Sequence, residues 1–319
     1  MIGRGLLGRH LERELSARSA SSTFRPQGSF SWGVPPVLRT ELQRAAKDFS
    51  RHQRSVENPN VSFVVAWTAG VGVIGSPASI LEGDIEAFRT LLDALEQAEL
   101  PPRGILFFAS TAGGAWGGSQ DRPITEHSPD EPINEYGRAR LRMETLTHAW
   151  IEAHPGWSGC IGRISTLFGV GQNLNKPQGF ISHVSRSIIF GRPLNVFVSP
   201  HTLRDFLFAP DCAFAIAELL EHARQNAEGH ERCITKILAD ERSVSLLQVI
   251  DGLERVSKRR VMVTLRHNNS SEQAPALVFK SRTAADGMRR RTDLITALNL
   301  LHQDQFRAFK EGRLVPPPL

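Results

Sequence analysis

Cysteine is scarce in this 319-residue chain. Cys160, Cys212 and Cys233 are too few and too scattered for a disulfide framework or a zinc knuckle, and they suit a reducing cytosol. Aromatic residues make up 7% of the chain, and a single tyrosine, Tyr136, stands against 17 phenylalanines. No run of about 18 uncharged apolar residues occurs, so no membrane-spanning helix is expected. The opening stretch MIGRGLLGRH has no basic segment followed by an apolar one, so secretion is not indicated and the cytoplasm is the expected location. The histidines form no H-E-x-x-H pair and no G-x-S-x-G elbow is present, so neither a metal site nor a hydrolase nucleophile is expected.

What is present is ordinary for a globular protein: 40% hydrophobic and 22% charged residues, enough chain for about two domains. The net charge is +5, which raises the question of nucleic acid. The basic clusters Lys258-Arg259-Arg260 and Arg289-Arg290-Arg291 are short and have no interleaved aromatics, so the stacking platform of a single-strand binder is missing. They are expected to be solvated helix ends, with a phosphate-bearing substrate as the lesser alternative.

Apolar residues recur at helical spacing in Leu6 to Leu15, Leu38 to Phe49 and Ile80 to Leu100. Compact apolar runs at Val61 to Trp67 and Gly104 to Ala109 read as buried strands. A helix over about Asn134 to His154 and a strand at Cys160 to Leu167 continue the alternation, which predicts βαβ units and a parallel sheet. A strand, helix and strand are expected over Cys233 to Leu265, with Ser243 or Ser245 as the helix N-cap. The expected fold class is α/β: a Rossmann-like, doubly wound parallel sheet over residues 1–168, to which 204–232 return. Residues 169–203 and 233–319 are expected to form a smaller mixed α/β substrate-binding lobe.

Gly3, Gly5 and Gly8 spell G-x-G-x-x-G at the head of the first helix. In a dinucleotide-binding turn such glycines permit the bend, let the backbone approach a pyrophosphate and pack helix on strand, while the helix N-terminus faces the phosphates. Only Met1 and Ile2 precede Gly3, so the first strand is curtailed. The acidic residue that would bind the ribose of NAD about 20 residues later is missing: Ser16 to Thr40 contains neither Asp nor Glu. Arg18 and Arg25 lie there instead. An arginine at Arg25 would pair with a 2′-phosphate, which leaves NAD and NADP both open with a slight lean to NADP.

Tyr136 and Arg140 are four residues apart on one expected helix, so phenol and cation share a face. A nearby positive charge favours the phenolate. A hydroxyl from the strand end, Ser110 or Thr111, would hold the oxygen of a reacting alcohol or carbonyl in line with that phenol. Asp211 is expected to cap a helix, and Trp116 to pack its loop.

The stretches FFASTAGGAWGG and PITEHSPDEPINEYGRARLRME resemble the extended short-chain dehydrogenase/reductases, specifically the NAD-dependent epimerase/dehydratase family that acts on nucleotide sugars. Gly3, Gly5 and Gly8 fit its cofactor loop, and Ala66 to Gly70 sits where its fourth strand ends. RISTLFG (Arg163 to Gly169), GRPLNV (Gly191 to Val196) and LRDFLF (Leu203 to Phe208) followed by Asp211 are similar to its later segments. The resemblance spans about residues 1 to 260 in order. It implies Tyr136 as general acid/base, Thr111 or Ser110 as its hydroxyl partner, and Arg140 in place of the family's lysine. It implies cofactor contacts from Gly3, Gly5, Leu6, Leu7, Gly8, Thr68, Ala69, Gly70, Tyr136, Arg140 and Ile164, with Arg25 added by the reading above. Substrate contacts are implied for Thr111, Thr166, Arg204 at the diphosphate, and Arg266. Ile164 and Thr166 stand where many relatives have Pro and Asn. The acidic pair that follows the threonine in 4,6-dehydratases is missing after Thr111, which points away from dehydration. The activity implied is an NAD(P)-dependent epimerase or reductase passing through a 4-keto intermediate or product, in a homodimer by family expectation, with no nucleic-acid or membrane partner. The alternative is an impaired relative that binds a dinucleotide or a protein partner without turnover.

Overall fold

The computed structural model describes residues 1–18, 23–56, 63–174, 179–226, 232–266, 274, 276–283 and 289–317. In chain order the first elements are α1 (Leu6–Ala17), α2 (Pro35–Arg54), β1 (Phe63–Trp67), α3 (Ala78–Glu96), β2 (Gly104–Thr111), the single turn α4 (Ala112–Ala115), α5 (Glu135–Ala153), β3 (Trp157–Ile164) and β4 (Thr166–Phe168). There follow α6 (Phe180–Phe190), β5 (Leu194–Val196), β6 (Leu203–Arg204), β7 (Phe206–Phe208), α7 (Ala209–Gln225), β8 (Cys233–Leu238), β9 (Val244–Ser245), α8 (Leu246–Ser257), β10 (Val263–Leu265) and α9 (Leu294–Lys310). The first two residues of the expected strand at Val61 lie outside the described residues.

The main sheet is parallel, in the order β1-β2-β3-β8. Its central strands bury both faces, which is why they read as continuous apolar runs. On one face α2, α3 and α5 close a core around Leu42, Phe88, Leu106 and Phe108. On the other, α1 and α7 meet over Leu11, Phe107, Ile216 and Leu219. The sheet is therefore doubly wound, as expected, with α7 packed beside α1 on this face. The strand Cys233–Leu238, expected with the lobe, is instead the fourth strand of this sheet, paired to β3 from Cys233↔Gly159 to Leu238↔Ile164.

Ahead of the glycine turn the sheet gains a single bridging residue. Ile2 bridges Trp67 in parallel, its N–H donating to the Ala66 carbonyl at 2.8 Å and its carbonyl accepting from Thr68 N–H at 2.8 Å. The expected strand from Cys160 to Leu167 is two: β3 ends at Ile164, and β4 leaves to pair with β7. The break comes at Ser165, whose hydroxyl donates to the fully buried Asp205 at 2.7 Å, with Asp240 and Glu241 N–H groups filling the same carboxylate. Burial raises the Asp205 pKa against these bonds.

The lobe packs α6, α8 and α9 around Phe168, Val184, Val249 and Leu298. Ser245 caps α8, with Gln248 completing a reciprocal capping box, which settles the choice left open with Ser243. Asp211 does not cap α7. It accepts from Thr292 N–H at 2.7 Å and from Arg290 at 3.1 Å, tying the C-terminal segment to the sheet domain. Arg289, Arg290 and Arg291 are likewise not a solvated end: Arg289 and Arg291 pair with Glu241, and Arg290 also with Glu14. Lys258, Arg259 and Arg260 do lie exposed at the end of α8. Among the described residues no helix is long and apolar enough to cross a membrane.

Candidate active site

Glycines set the geometry of the first turn. Gly3 has φ +93°, and a Cβ there would lie 2.4 Å from the Ala69 nitrogen, so the turn closes on the end of β1 only without a side chain. A Cβ on Gly8 would lie 2.0 Å from the Gly3 carbonyl oxygen, which lets α1 start hard against that turn. Gly5 is different: a Cβ there would meet nothing within 4 Å, and it is the N-cap of α1. A turn whose middle glycine is left bare at a helix N-terminus is the cradle a dinucleotide pyrophosphate requires, and these residues fit it.

At the neighbouring strand end, Thr111 caps α4, its Oγ1 accepting from Gly114 N–H at 3.2 Å. Asn134 caps α5 in the same way through Gly137 N–H at 2.9 Å. A Cβ on Gly137 would lie 2.1 Å from the Gly114 carbonyl oxygen. The first turn of α5 therefore seats directly on α4, and Tyr136 comes to border the same cleft as Thr111. Arg140, one turn on, places its guanidinium carbon 5.3 Å from the Tyr136 ring centroid.

These groups line one cleft of about 510 Å³ at the C-terminal ends of the strands, the usual ligand position in open α/β sheets. Leu7, Thr68, Ala69, Gly70, Ser110, Thr111, Tyr136, Arg140, Ile164, Thr166 and Arg204 all border it. Gly3, Gly5 and Gly8 form the turn behind Ala69, and Leu6 begins α1 without bordering the cleft. Arg204 has no carboxylate partner among the described residues, and burial draws its pKa down to about 10, so it still carries its charge at neutral pH. Two expected contacts lie elsewhere. Arg266 donates to the Asn195 side chain at 3.2 Å on the β5–β10 ribbon. Arg25 pairs at 2.5 Å with Glu12, which also takes Arg4 at 2.9 Å. Arg4, Arg9, Arg13 and Arg25 border a separate depression of about 250 Å³ beside α1.

The two hydroxyls are not equivalent. Ser110 donates to Glu144 in a buried short contact, and Glu144 is held by Arg163 through Nη2 at 2.6 Å and Nε at 3.1 Å. Arg163 continues to Asp130 and lies 4.3 Å over the Trp116 ring. Burial works against the Arg163 charge, but Asp130 and Glu144 raise its pKa. Ser110 is thus committed to an ion-pair network, whereas the Thr111 hydroxyl hydrogen is not used by its capping bond. Sequence reasoning missed Glu144, although its spacing signals it: Tyr136, Arg140 and Glu144 recur every four residues along one helix face. It also missed the wall made by Ala274, Leu277 and Phe279 from the C-terminal segment, which no local pattern announces.

A glycine turn at a helix N-terminus, with phenol, cation and hydroxyl in one cleft over a parallel sheet, defines a nucleotide-dependent α/β protein. Residues 3–234 match the family described as NAD dependent epimerase/dehydratase, and the chain belongs to that family. It is 25% identical over 229 residues to a Bacillus subtilis protein named an uncharacterized UDP-glucose epimerase, a match covering 72% of this chain and 63% of the relative. The fold is shared with RMD from Pseudomonas aeruginosa in complex with NADPH (TM-score 0.74, 19% identity, covering 95% of this chain and 96% of the other). It is shared equally with a Thermus thermophilus UDP-glucose 4-epimerase in complex with NAD (TM-score 0.74, 17% identity, 95% and 96%).

Proposed function

We propose that this chain is an NAD(P)-dependent epimerase or reductase of a nucleotide-activated sugar. The observation that carries the reading is that Tyr136, Thr111 and Arg140 border the same cleft as the glycine-turn helix and the half-buried Arg204. A bound nicotinamide would supply the hydride chemistry at a sugar carbon, with a 4-keto sugar as intermediate or product. The chain's part is to bind, orient and move a proton. Tyr136 exchanges the proton with the sugar hydroxyl, and Arg140 keeps a guanidinium beside its ring. Thr111 donates to the same sugar oxygen while its own oxygen stays fixed by Gly114 N–H. Arg204 takes the diphosphate, since a half-buried guanidinium with no carboxylate partner among the described residues is suited to an anion. Ala112 and Gly113 bring no carboxylate after Thr111, so elimination of water lacks the acid and base it needs.

The depression bordered by Arg4, Arg9, Arg13 and Arg25 supports NADP over NAD: Glu12 also borders it and pairs with Arg4 and Arg25, but arginines outnumber that single carboxylate, and Ser16 to Thr40 supplies no acidic residue for a ribose. A homodimer, which the family resemblance leads one to expect, is proposed for this chain as well.

The reading is tested by Tyr136→Phe against a panel of nucleotide sugars, with tritium exchange or keto-product formation as readout. Loss of the acid/base is expected to lower kcat by about 10²–10⁴-fold, and turnover equal to the parent's sinks the mechanism.

A further inference from the structure

The family's lysine is an arginine here, and its surroundings are built for an arginine. Asp84, on the first turns of α3, has both carboxylate oxygens fixed by the loop after β1: Oδ1 accepts from Val71 N–H at 3.1 Å and Oδ2 from Gly72 N–H at 3.0 Å. That same Oδ2 stands 4.0 Å from Arg140 Nη2, with the two side chains 12% and 9% exposed. Gly70 lies between them. Its φ is +146°, and a Cβ there would sit 2.4 Å from Arg140 Nη2, 3.3 Å from Arg140 Cζ and 3.2 Å from Asp84 Oδ2. A Cβ on Gly72 would sit 3.0 Å from the same Oδ2. No side chain at position 70 is compatible with a guanidinium in this place. Arg140's other described polar contact is a 3.9 Å approach to the Met143 sulfur, too weak to aim it.

We propose that Asp84 is a positioning residue for Arg140, and that Gly70 and Gly72 supply the space the pair needs. The inference rests on the reading of Arg140 as the cation beside the Tyr136 phenol. A guanidinium is wide and planar, and it packs flat on a bare backbone; a lysine ammonium is a compact point charge that would leave the slot beside Gly70 unfilled. The carboxylate gives the buried cation a partner, and its two N–H bonds keep it from collapsing onto the guanidinium and turning it away from the cleft. Arginine at 140 is then a matched solution, and restoring the family's lysine alone costs function.

The test is a double-mutant cycle of Asp84→Asn and Arg140→Lys in the full chain, read by NADPH binding through fluorescence and by turnover of the nucleotide-sugar panel. Asp84→Asn is expected to weaken both by about tenfold in the parent and by less than about twofold in the Arg140→Lys background, the coupling that contacting residues show. Arg140→Lys alone is expected to fall below the parent. Equal losses in both backgrounds would make Asp84 a loop brace only, and a gain of turnover in Arg140→Lys would make the arginine a defect; either overturns the proposal. Should Asp84→Asn not fold, Gly70→Ala asks the same question, with a larger loss expected beside arginine than beside lysine and equal losses overturning it. A parent that binds NADPH but converts no nucleotide sugar removes the functional reading alone, since the binding cycle still decides this one. A parent that binds no dinucleotide overturns both.

Discussion

The sheet has two unlike sides. From Ile2 outward through β1, β2, β3 and β8, every strand has a paired register and a helix packed over it. On the other side, where a doubly wound dinucleotide fold places two further strands, the described residues between Ile2 and β1 contain no strand. Aromatic side chains step outward there: Trp67 against Trp32 at 5.7 Å, Trp32 against Phe30 at 5.5 Å, and Phe63 against Phe49 at 5.9 Å. The groups proposed for catalysis, Thr111, Tyr136 and Arg140, all come from the regular side. The side proposed to take the adenosine is held by packing and by the Arg4–Glu12–Arg25 cluster. Proton chemistry demands a fixed geometry, whereas a phosphate can be recognised by charge on a less ordered frame.

The largest effect that would break this contrast lies in the buried network of the regular side. Arg163→Met leaves Glu144 buried without its cation, and removing one partner of a buried pair costs about 3–5 kcal/mol. Urea unfolding should show that loss; a change below about 1 kcal/mol would mean the network is ornamental and the two sides are equally loose. Next come the two glycines of the turn that joins the sides. Gly8→Ala forces a Cβ into the Gly3 carbonyl and should destabilise by about 1–3 kcal/mol. Gly5→Ala meets no protein atom and should leave stability within about 0.5 kcal/mol of the parent while weakening dinucleotide binding. If both behave alike in melting and in binding, Gly5 is not the bare floor of a phosphate cradle.

What could be read in advance follows the same divide. β2, α5 and the pairing of Tyr136 with Arg140 were legible because alternation and i, i+4 spacing are local and repeat. α6 escaped, and α7 was foreseen only as a helix that Asp211 would cap, because both are buried on several faces, as Ser182, Val184, Ser185, Arg186 and Ile188 show along α6, and so carry no clean amphipathic stripe. The choice between Ser110 and Thr111 depended on Glu144 and Arg163, which are distant in sequence from the hydroxyl and meet it only across the sheet. Arg140 was legible as a departure from the family and Gly70 as a strand end, but their closeness to Asp84, which comes from a separate segment, was not.

On the irregular side the effects are smaller and shift with pH. Burial works against the Glu12 charge, but bonds from Arg25 and Arg4 hold its pKa below the usual carboxylate value. A carboxylate depressed in the folded state adds stability above its unfolded pKa, and that contribution is lost as pH falls through the folded value. The parent should therefore loosen around α1 as pH drops below about 4.5. Glu12→Gln should cost about 1 kcal/mol at neutral pH and flatten that acid dependence; hydrogen exchange of the α1 amides measures both, and an unchanged acid limb would place the pH response elsewhere.

Arg25→Ala is the smallest change and the sharpest for the comparison. Its side chain is 64% exposed and its partner keeps Arg4, so the stability cost should stay within about 1 kcal/mol. A free phosphate ester facing Arg25 would lose a charge-assisted bond, and such bonds are worth about 1.5–3 kcal/mol. The ratio of NADPH to NADH affinity should then fall by roughly tenfold or more, with NADH binding itself little changed. Added salt should narrow the same ratio in the parent, because the contact is exposed and screened. If NADPH and NADH weaken together, Arg25 acts only through Glu12 and the order of α1, and the adenosine side reads its ligand by shape after all.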